Sequence, residues 1–494
     1  MSTKTGKAVM TKNKQGADGE KPTAALLIRD LIDTVPTFAT ESKDAYARID
    51  GYVVDMETGD FKDWVRRELR ARYPRITFQS ATISEEIATA AAVARGKKKE
   101  KVYVRVAPVR GKVYVDCGDK YIEASEDGVK VLPSPAPVNF FRPAGWEPID
   151  LSNSQGTFDD FLNLLNVAEQ DRILLWGFLT YVASGGAKKK FPALILNGEQ
   201  GTGKSLAARL LQSLIDPSDA GLSTPFEDEK DLCVIAKHAY IVAFDNLSKI
   251  SAENSDALCR LVDGVGIKTR KLFTNGDLYI LSAARPAIMT GISLEAWKSD
   301  LASRTLQIRL EPFDDDKARL TESELDEAFE TIHAGALIDL MRSVSAGLRH
   351  AGEPVKNLPR LADFSAFCQH AEIDHPHYEN GEFAIALSNC QMEAMDELVD
   401  NSLVIKNLAV ATREGFRGTI SELWEKMPQL DLRAPKGYPE TTNALRDFLR
   451  MNAPPLRAKG WKVEFKRGQE RLWTIVPPAP KTIEQKIDAK LGGY

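Results

Sequence analysis

Residues 195–205 read "ILNGEQGTGKS": an apolar run, three glycines within six residues, then Lys204-Ser205. Gly198, Gly203, Lys204 and Ser205 match the pattern G-x-x-x-x-G-K-[ST]. The preceding "PALILN" reads as a buried strand and the following "SLAARLLQSLI" as a helix. The loop is therefore expected between a strand end and a helix start, where backbone N–H groups and the helix N-terminus face an anion. On this reading Gly198, Glu199, Gln200, Gly201, Thr202, Gly203, Lys204, Ser205 and Leu206 cradle the phosphates of ATP. Lys204 is expected to reach the β- and γ-phosphates and Ser205 to hold Mg²⁺. A dinucleotide-binding loop is disfavoured, since "GEQGTG" is not G-x-G-x-x-G.

Working outward, residues 157–315 alternate helix, strand, loop and helix, the pattern of a parallel α/β sheet. "FDDFLNLLNV" and "DRILLWGFLTYVAS" read as entering helices; "AYIVAF", "PAIMT" and "TLQIRL" read as further strands. "AYIVAFDNLS" carries an apolar strand into Asp245, the expected Mg²⁺ carboxylate. Many ATPases place a glutamate next to orient water, whereas this chain has Asn246. Either Asn246 positions the water or a base comes from Glu227 or Glu229. Thr290 ends the third strand, where a sensor contacting the γ-phosphate or the attacking water is expected. Arg304 follows in "SDLASRTLQIRL", just before a strand. Between them, "TRKLF" and "DLYIL" flank Asn275-Gly276, a strong hairpin signal. Lys268, Arg270, Lys271 and Asn275 on or beside this hairpin would hold DNA phosphates.

The order of "GEQGTGKS", "VAFDNLS", the basic hairpin, "PAIMTGI" and "DLASRT" resembles the superfamily 3 helicases, the AAA+ branch of papillomavirus-type initiators and poxvirus-type primase-helicases. "NGEQGTGKSLAARLLQSLIDPS", "SDALCRL" and "LPRLADF" are similar to ATPases of phages and integrated mobile elements, often described as DNA primase or helicase. The resemblance spans about residues 150 to 375. It implies a hexameric ring translocating on DNA, with ATP at subunit interfaces and single-stranded DNA in the pore. It also implies catalytic roles for Lys204, Asp245, Thr290 and Arg304, the last reaching into a neighbouring subunit's nucleotide, and leaves Asn246 as this chain's own catalytic candidate. Thr290 stands where superfamily 3 usually has Asn. Residues 1 to 150 lack the acidic-pair signature of a polymerising primase.

The flanks complete the expected organisation. Residues 1–22 read as a disordered arm, 23–150 as an α+β domain, 151–315 as the P-loop AAA+ core, 316–404 as a helical lid or linker, 405–477 as a winged-helix-like domain and 478–494 as a tail. The expected fold class is α/β, a parallel sheet flanked by helices. "LPSPAPVNFFRPAGWEP" reads as a linker or surface strap. In the last domain "ISELWEKM" and "TTNALRDFLRMN" read as helices, and "WKVEF" and "RLWTIV" as a strand pair. Arg446 and Arg450 lie four apart on one helix face, with Lys466 and Arg467 near. This face would dock on duplex DNA or contact replication proteins, while Trp424, Trp461 and Trp473 read as core.

Composition fits this picture. The 494 residues are 43% hydrophobic and 27% charged, with a formal net charge of −5, as in a globular chain of several domains. Between Arg433 and Arg471, ten Lys/Arg oppose four Asp/Glu, so the C-terminal region is locally basic. "ILLWGFLTYVA" is far shorter than a membrane span, and the N-terminus has no apolar signal core. A cytoplasmic protein with no membrane partner is expected. The five cysteines form no CxxC pair and read as reduced thiols. Cys368, His370, His375 and His377 cluster in "CQHAEIDHPH" without the paired spacing of a zinc finger.

Overall fold

The computed structural model describes residues 22–478 apart from 187–189, 248–249, 271–277, 282–283, 292–300, 302, 313–319, 356–357, 360, 429–437 and 468–470. By its internal contacts the chain divides into two compact units, residues 1–102 and 103–494. The division falls inside the stretch 23–150, expected above to be one domain.

The first unit holds α1 (Ala24–Ile32), the antiparallel strands β1 (Thr37–Ala39), β2 (Ala45–Ile49) and β3 (Tyr52–Asp55), then α2 (Gly59–Arg72) and α3 (Ser80–Gly96). Phe61, Val65 and Leu69 recur at four-residue intervals and bury one stripe of α2. They pack with Ile28, Leu31, Ala47, Ile83 and Ile87 in this unit's own core.

The second unit opens with an antiparallel meander of β4 (Val106–Val109), β5 (Lys112–Asp116), β6 (Lys120–Ser125) and β7 (Gly128–Pro133). The proline-rich passage after it is no loose strap: Phe140 and Phe141 are buried. α4 (Phe158–Asn163) starts at a capping box in which Thr157 and Asp160 satisfy each other's backbone N–H groups. α5 (Arg172–Ala183) is apolar all round and buried all round except at its first residue.

There follow β8 (Ala193–Asn197), α6 (Lys204–Ile215), α7 (Glu229–His238), β9 (Val242–Phe244), α8 (Ala252–Asp263), β10 (Ile267–Arg270), β11 (Leu278–Leu281), β12 (Ala287–Thr290) and β13 (Thr305–Arg309). The central sheet is parallel, in the order β13-β8-β12-β9. A single parallel bridge between Ser223 and Phe244 extends it beyond β9. Strands of such a sheet are covered on both faces and read as continuous apolar runs, as "ALIL", "VAF" and "AIM" do. The fold is thus α/β, a parallel sheet flanked by helices, joined by small antiparallel sheets.

Three helices come next: α9 (Glu322–Arg349), α10 (Ala362–Glu372) and α11 (Glu382–Asn401). The last segment runs α12 (Leu403–Ala411), β14 (Phe416–Gly418), α13 (Ile420–Lys426), α14 (Thr442–Ala458), β15 (Lys462–Lys466) and β16 (Leu472–Val476), with sheet order β14-β16-β15. Trp461 and Trp473 are buried in its core and Trp424 packs against it. β14 adds a third strand to the expected pair. Among the described residues no helix is long and apolar enough to cross a membrane.

Candidate nucleotide site

The four parallel strands end on one edge of the sheet, where open α/β folds bind ligands. β8 ends at Asn197 and feeds residues 198–203; β9 ends beside Asp245, and β12 ends at Thr290. Asn197 is fixed by donating its amide to Gln307 Oε1 at 2.9 Å. A Cβ at Gly198 would meet the Leu310 carbonyl at 2.9 Å and Thr202 Oγ1 at 2.7 Å, so only glycine lets the loop leave the strand here. Gly203 is the left-handed N-cap of α6 and brings no side-chain cap. The first N–H groups of this 12-residue helix therefore stay free for an anion. Lys204 folds back over the loop, its ammonium donating to the carbonyls of Gly198 at 2.8 Å and Glu199 at 2.6 Å.

Asp245 faces this loop across the strand ends. Its Oδ1 accepts from Ser205 Oγ at 2.7 Å and from Thr290 Oγ1 at 2.6 Å. Thr290 Oγ1 also accepts the Asn246 N–H at 2.9 Å, and the Leu247 N–H donates to the Thr290 carbonyl. Thr290 is buried, its hydroxyl committed to the neighbouring strand end. Asn246 takes a left-handed φ of 53°, and a Cβ at Gly291 would stand 2.9 Å from its Cα. The chain reversal after β9 is thus shaped by β12.

The donor set fits a magnesium–nucleotide group: a glycine-built cradle at a helix start, one cation, and a hydroxyl and a carboxylate already in contact. The sequence places Ser205, Asp245 and Thr290 forty or more residues apart; the structure brings their side chains onto one carboxylate oxygen.

Other expected residues lie elsewhere. Glu229 is paired with Arg260 at 2.9 Å, whereas Glu227 is exposed just beyond the Ser223 segment that lies along β9. Arg304 precedes β13, on the sheet edge opposite the loop, with its guanidinium on Asp263 Oδ2 at 3.1 Å. β10 and β11 pair as a hairpin, Arg270 opposite Leu278, and Lys268 and Arg270 belong to its first strand. Lys271 and Asn275 lie outside the described residues. On α14, Arg446 pairs with Asp447 at 2.9 Å while Arg450 stands over the Phe465 ring at 5.4 Å. Lys466 and Arg467 are exposed at the end of β15. In the histidine-rich stretch Cys368 donates to the Gly177 carbonyl, and His370 bonds to the Glu353 carbonyl. His375 stacks on Tyr378, and His377 meets Asp159. No cluster of three or more His, Cys, Asp or Glu side chains able to hold a metal ion occurs among the described residues. All five cysteines are buried and none forms a disulfide.

Sequence reading missed the wall beside the cradle. Residues 166–171 run along the end of β13: Ala168 N–H donates to the Arg309 carbonyl and Glu311 N–H to the Asn166 carbonyl. Asp171 accepts the Arg309 N–H at 2.7 Å, and burial holds its carboxyl above the usual range. This is a loop without a motif, so only the fold could reveal it.

Comparison with known proteins agrees in one respect. Residues 158–382 match the family described as the actinomycete integrative conjugative element replication protein, and residues 402–486 match the family described as the RepA C-terminal domain of those elements. No curated protein matches. Among solved structures, the A form apo structure of the NrS-1 C-terminal region is 12% identical, with a TM-score of 0.40, covering 92% of this chain and 100% of that one. The structure titled "SCCmec type IV Cch - active helicase" is also 12% identical, with a TM-score of 0.39, covering 93% of this chain and 94% of that one.

Proposed function

We propose that this chain is an ATP-driven DNA helicase or translocase serving replication of a mobile genetic element, and that it works as a ring, a hexamer, with ATP at subunit interfaces. The observation that carries the reading is the meeting of Ser205 and Asp245 at the strand ends, directly beside the glycine loop. A chain that only used the loop as a structural turn would have no need of it. The family matches support the replicative setting.

In this reading Gly198–Leu206 hold the phosphates, and Ser205 and Asp245 hold Mg²⁺, which supplies charge neutralisation for phosphoryl transfer. Lys204 exchanges its loop carbonyls for phosphate oxygens. Asn246, exposed beside Asp245, orients the attacking water. Lys268, Arg270, Lys271 and Asn275 hold single-stranded DNA in the pore, and Arg446, Arg450, Lys466 and Arg467 dock on duplex.

One observation favours a second reading. An amide at Asn246 is a weaker water-orienting group than a carboxylate, which suits an ATP-switched initiator or loader that turns over slowly. A forked-duplex unwinding assay separates the two, with Lys204→Ala as the inactive control. Unwinding that needs ATP and Lys204 is expected; hydrolysis without unwinding would sink the motor and leave the switch.

A further inference from the structure

The first unit lies outside both family matches, and it carries the densest run of positive charge on a described helix. Residues 62–75 hold Lys62, Arg66, Arg67, Arg70, Arg72 and Arg75 against Asp63 and Glu68. The rest of the chain must therefore be more acidic than the overall charge of −5 suggests.

The helix geometry forces these cations outward. Phe61, Val65 and Leu69 claim the core-facing stripe of α2, so Arg66 and Arg67 between them face solvent. Arg66, Arg67, Arg70, Arg72 and Arg75 are all exposed. Two of the helix's cations reach α3 and one the loop before it. Arg66 donates to Ser80 Oγ at 3.0 Å, Lys62 to Ser84 Oγ at 2.6 Å, and Arg70 to the Pro74 carbonyl at 3.0 Å. These partners are neutral and leave the charge in place.

Acid neutralisation is slight. Arg66 meets Asp63 and Arg72 meets Glu68, both as exposed pairs within one helix, which contribute little. Arg67 and Arg75 have no acidic partner among the described residues.

We propose that this arginine face of α2 is a second, nucleotide-independent docking surface for the phosphate backbone of duplex DNA. The ligand follows from what surrounds the charge. A protein partner would need an apolar centre to bury, and no large apolar side chain is exposed within residues 62–75, Ile76 just beyond being the nearest in sequence. A membrane surface would need an apolar face as well. What remains is a planar-forked cation array with rises of about 6 Å between Arg66 and Arg70, suited to anionic oxygens and blind to base sequence. The proposal rests on the reading that the chain works on DNA, yet it requires neither ATP nor the glycine loop.

The test is fluorescence anisotropy of the full chain with a duplex of arbitrary sequence, without nucleotide, across a range of salt. Arg67→Gln/Arg75→Gln removes the two unpartnered cations, so folding is spared; a second variant adds Arg66→Gln and Arg70→Gln. Each lost phosphate contact should lower the slope of log affinity against log salt by about 0.9. The double variant should thus lose about 2 units of slope, the quadruple up to about 4, equally for unrelated sequences. An unchanged slope in both folded variants overturns the proposal, as does arginine-dependent binding only to anionic vesicles or to an acidic polypeptide. ATP hydrolysis measured on the same samples keeps the readings apart. If the wild-type chain hydrolyses no ATP and the variants still lose slope relative to it, the motor is defeated and the surface is kept.

Discussion

Thr290 donates its hydroxyl proton to Oδ1 of Asp245 at 2.6 Å while accepting the N–H of Asn246 at 2.9 Å. A buried hydroxyl so engaged has one lone pair left and no free proton. Thr290 thus acts on the two residues after β9, orienting the carboxylate and pinning the reversal, where the sequence had suggested a direct sensor of phosphate. Loss of a group that orients a metal ligand costs about 10–100-fold in metal affinity or activity. Thr290→Val should raise the Mg²⁺ concentration for half-maximal hydrolysis by that order, leave Mg²⁺-free nucleotide binding unchanged, and be rescued in large part by Thr290→Ser. Nucleotide titrations with and without Mg²⁺ check it. A Val variant that weakens binding equally under both conditions would return Thr290 to a direct phosphate role.

A second relationship ties the far ends of the same elements together. Asp216, just past α6, accepts the N–H groups of Tyr240 and Ile241 at 2.8 and 3.0 Å where the chain enters β9. Its other oxygen meets Arg105 Nε at 3.1 Å. Arg105 is fully buried, donates to the carbonyls of Asp116, Glu147 and Pro217, lies against the Trp146 ring, and takes a φ of 59°. Removing one member of such a pair strands a buried charge. Asp216→Ala should cost about 3–5 kcal/mol, whereas Asp326→Ala, which breaks the partly exposed pair with Arg209, should cost less than about 1 kcal/mol. Denaturant unfolding compares them; equal losses would mean that Asp216 is no hub.

These contacts also show what a sequence can carry. The loop, the strand ending in Asp245 and the strand ending in Thr290 were legible because each is a local pattern: apolar run, turn residues, helix. Arg105 and Asp216 were not, because a single charged residue before a strand or after a helix looks the same whether solvated or buried, and their meeting spans 111 positions. β1, β2 and β3 were missed for a related reason: "AYARI" and "YVVD" are short and mix charge with apolar residues. The boundary at 102/103 was hidden because "KVYVRVAPV" begins an alternating run just as the second unit begins.

His333, on α9, reports the packing of that helix against α6. Its Nε2 bonds to the Leu214 carbonyl at 3.1 Å and its ring stacks on Phe329. Burial, with Arg105 as a further cation, lowers its pKa to about 4. The folded form therefore keeps a neutral ring, while the unfolded chain takes up a proton below about 6.5. Its stabilising contribution is full above about pH 6.5 and is lost as pH falls towards 4, at most about 3 kcal/mol. A side-chain NMR titration should find this imidazole titrating near pH 4, and His333→Gln should flatten the dependence of the urea midpoint between pH 4 and 6.5. A ring titrating near 6.5 would contradict the packing.

Arg304 and the glycine loop lie at opposite edges of one sheet. Thr305 pairs with Ala193 at the start of β8 and Arg309 with Asn197 at its end, so about 16 Å of strand separates Arg304 from the loop of its own chain. Within the chain Arg304 closes on Asp263. An arginine so placed can serve a nucleotide only in a neighbouring subunit, and the ring reading requires that it does. Inactive Arg304→Ala and Lys204→Ala chains mixed in equal amounts should then recover about a quarter of wild-type hydrolysis, the share of interfaces that pair an intact loop with an intact arginine under random assembly. The alternative, an arginine that only closes its ion pair, makes a different forecast. Asp263→Ala would then impair hydrolysis as much as Arg304→Ala, and no mixture of intact assemblies would regain activity. Co-assembly of tagged and untagged chains, verified by mass before the assay, makes the comparison decisive.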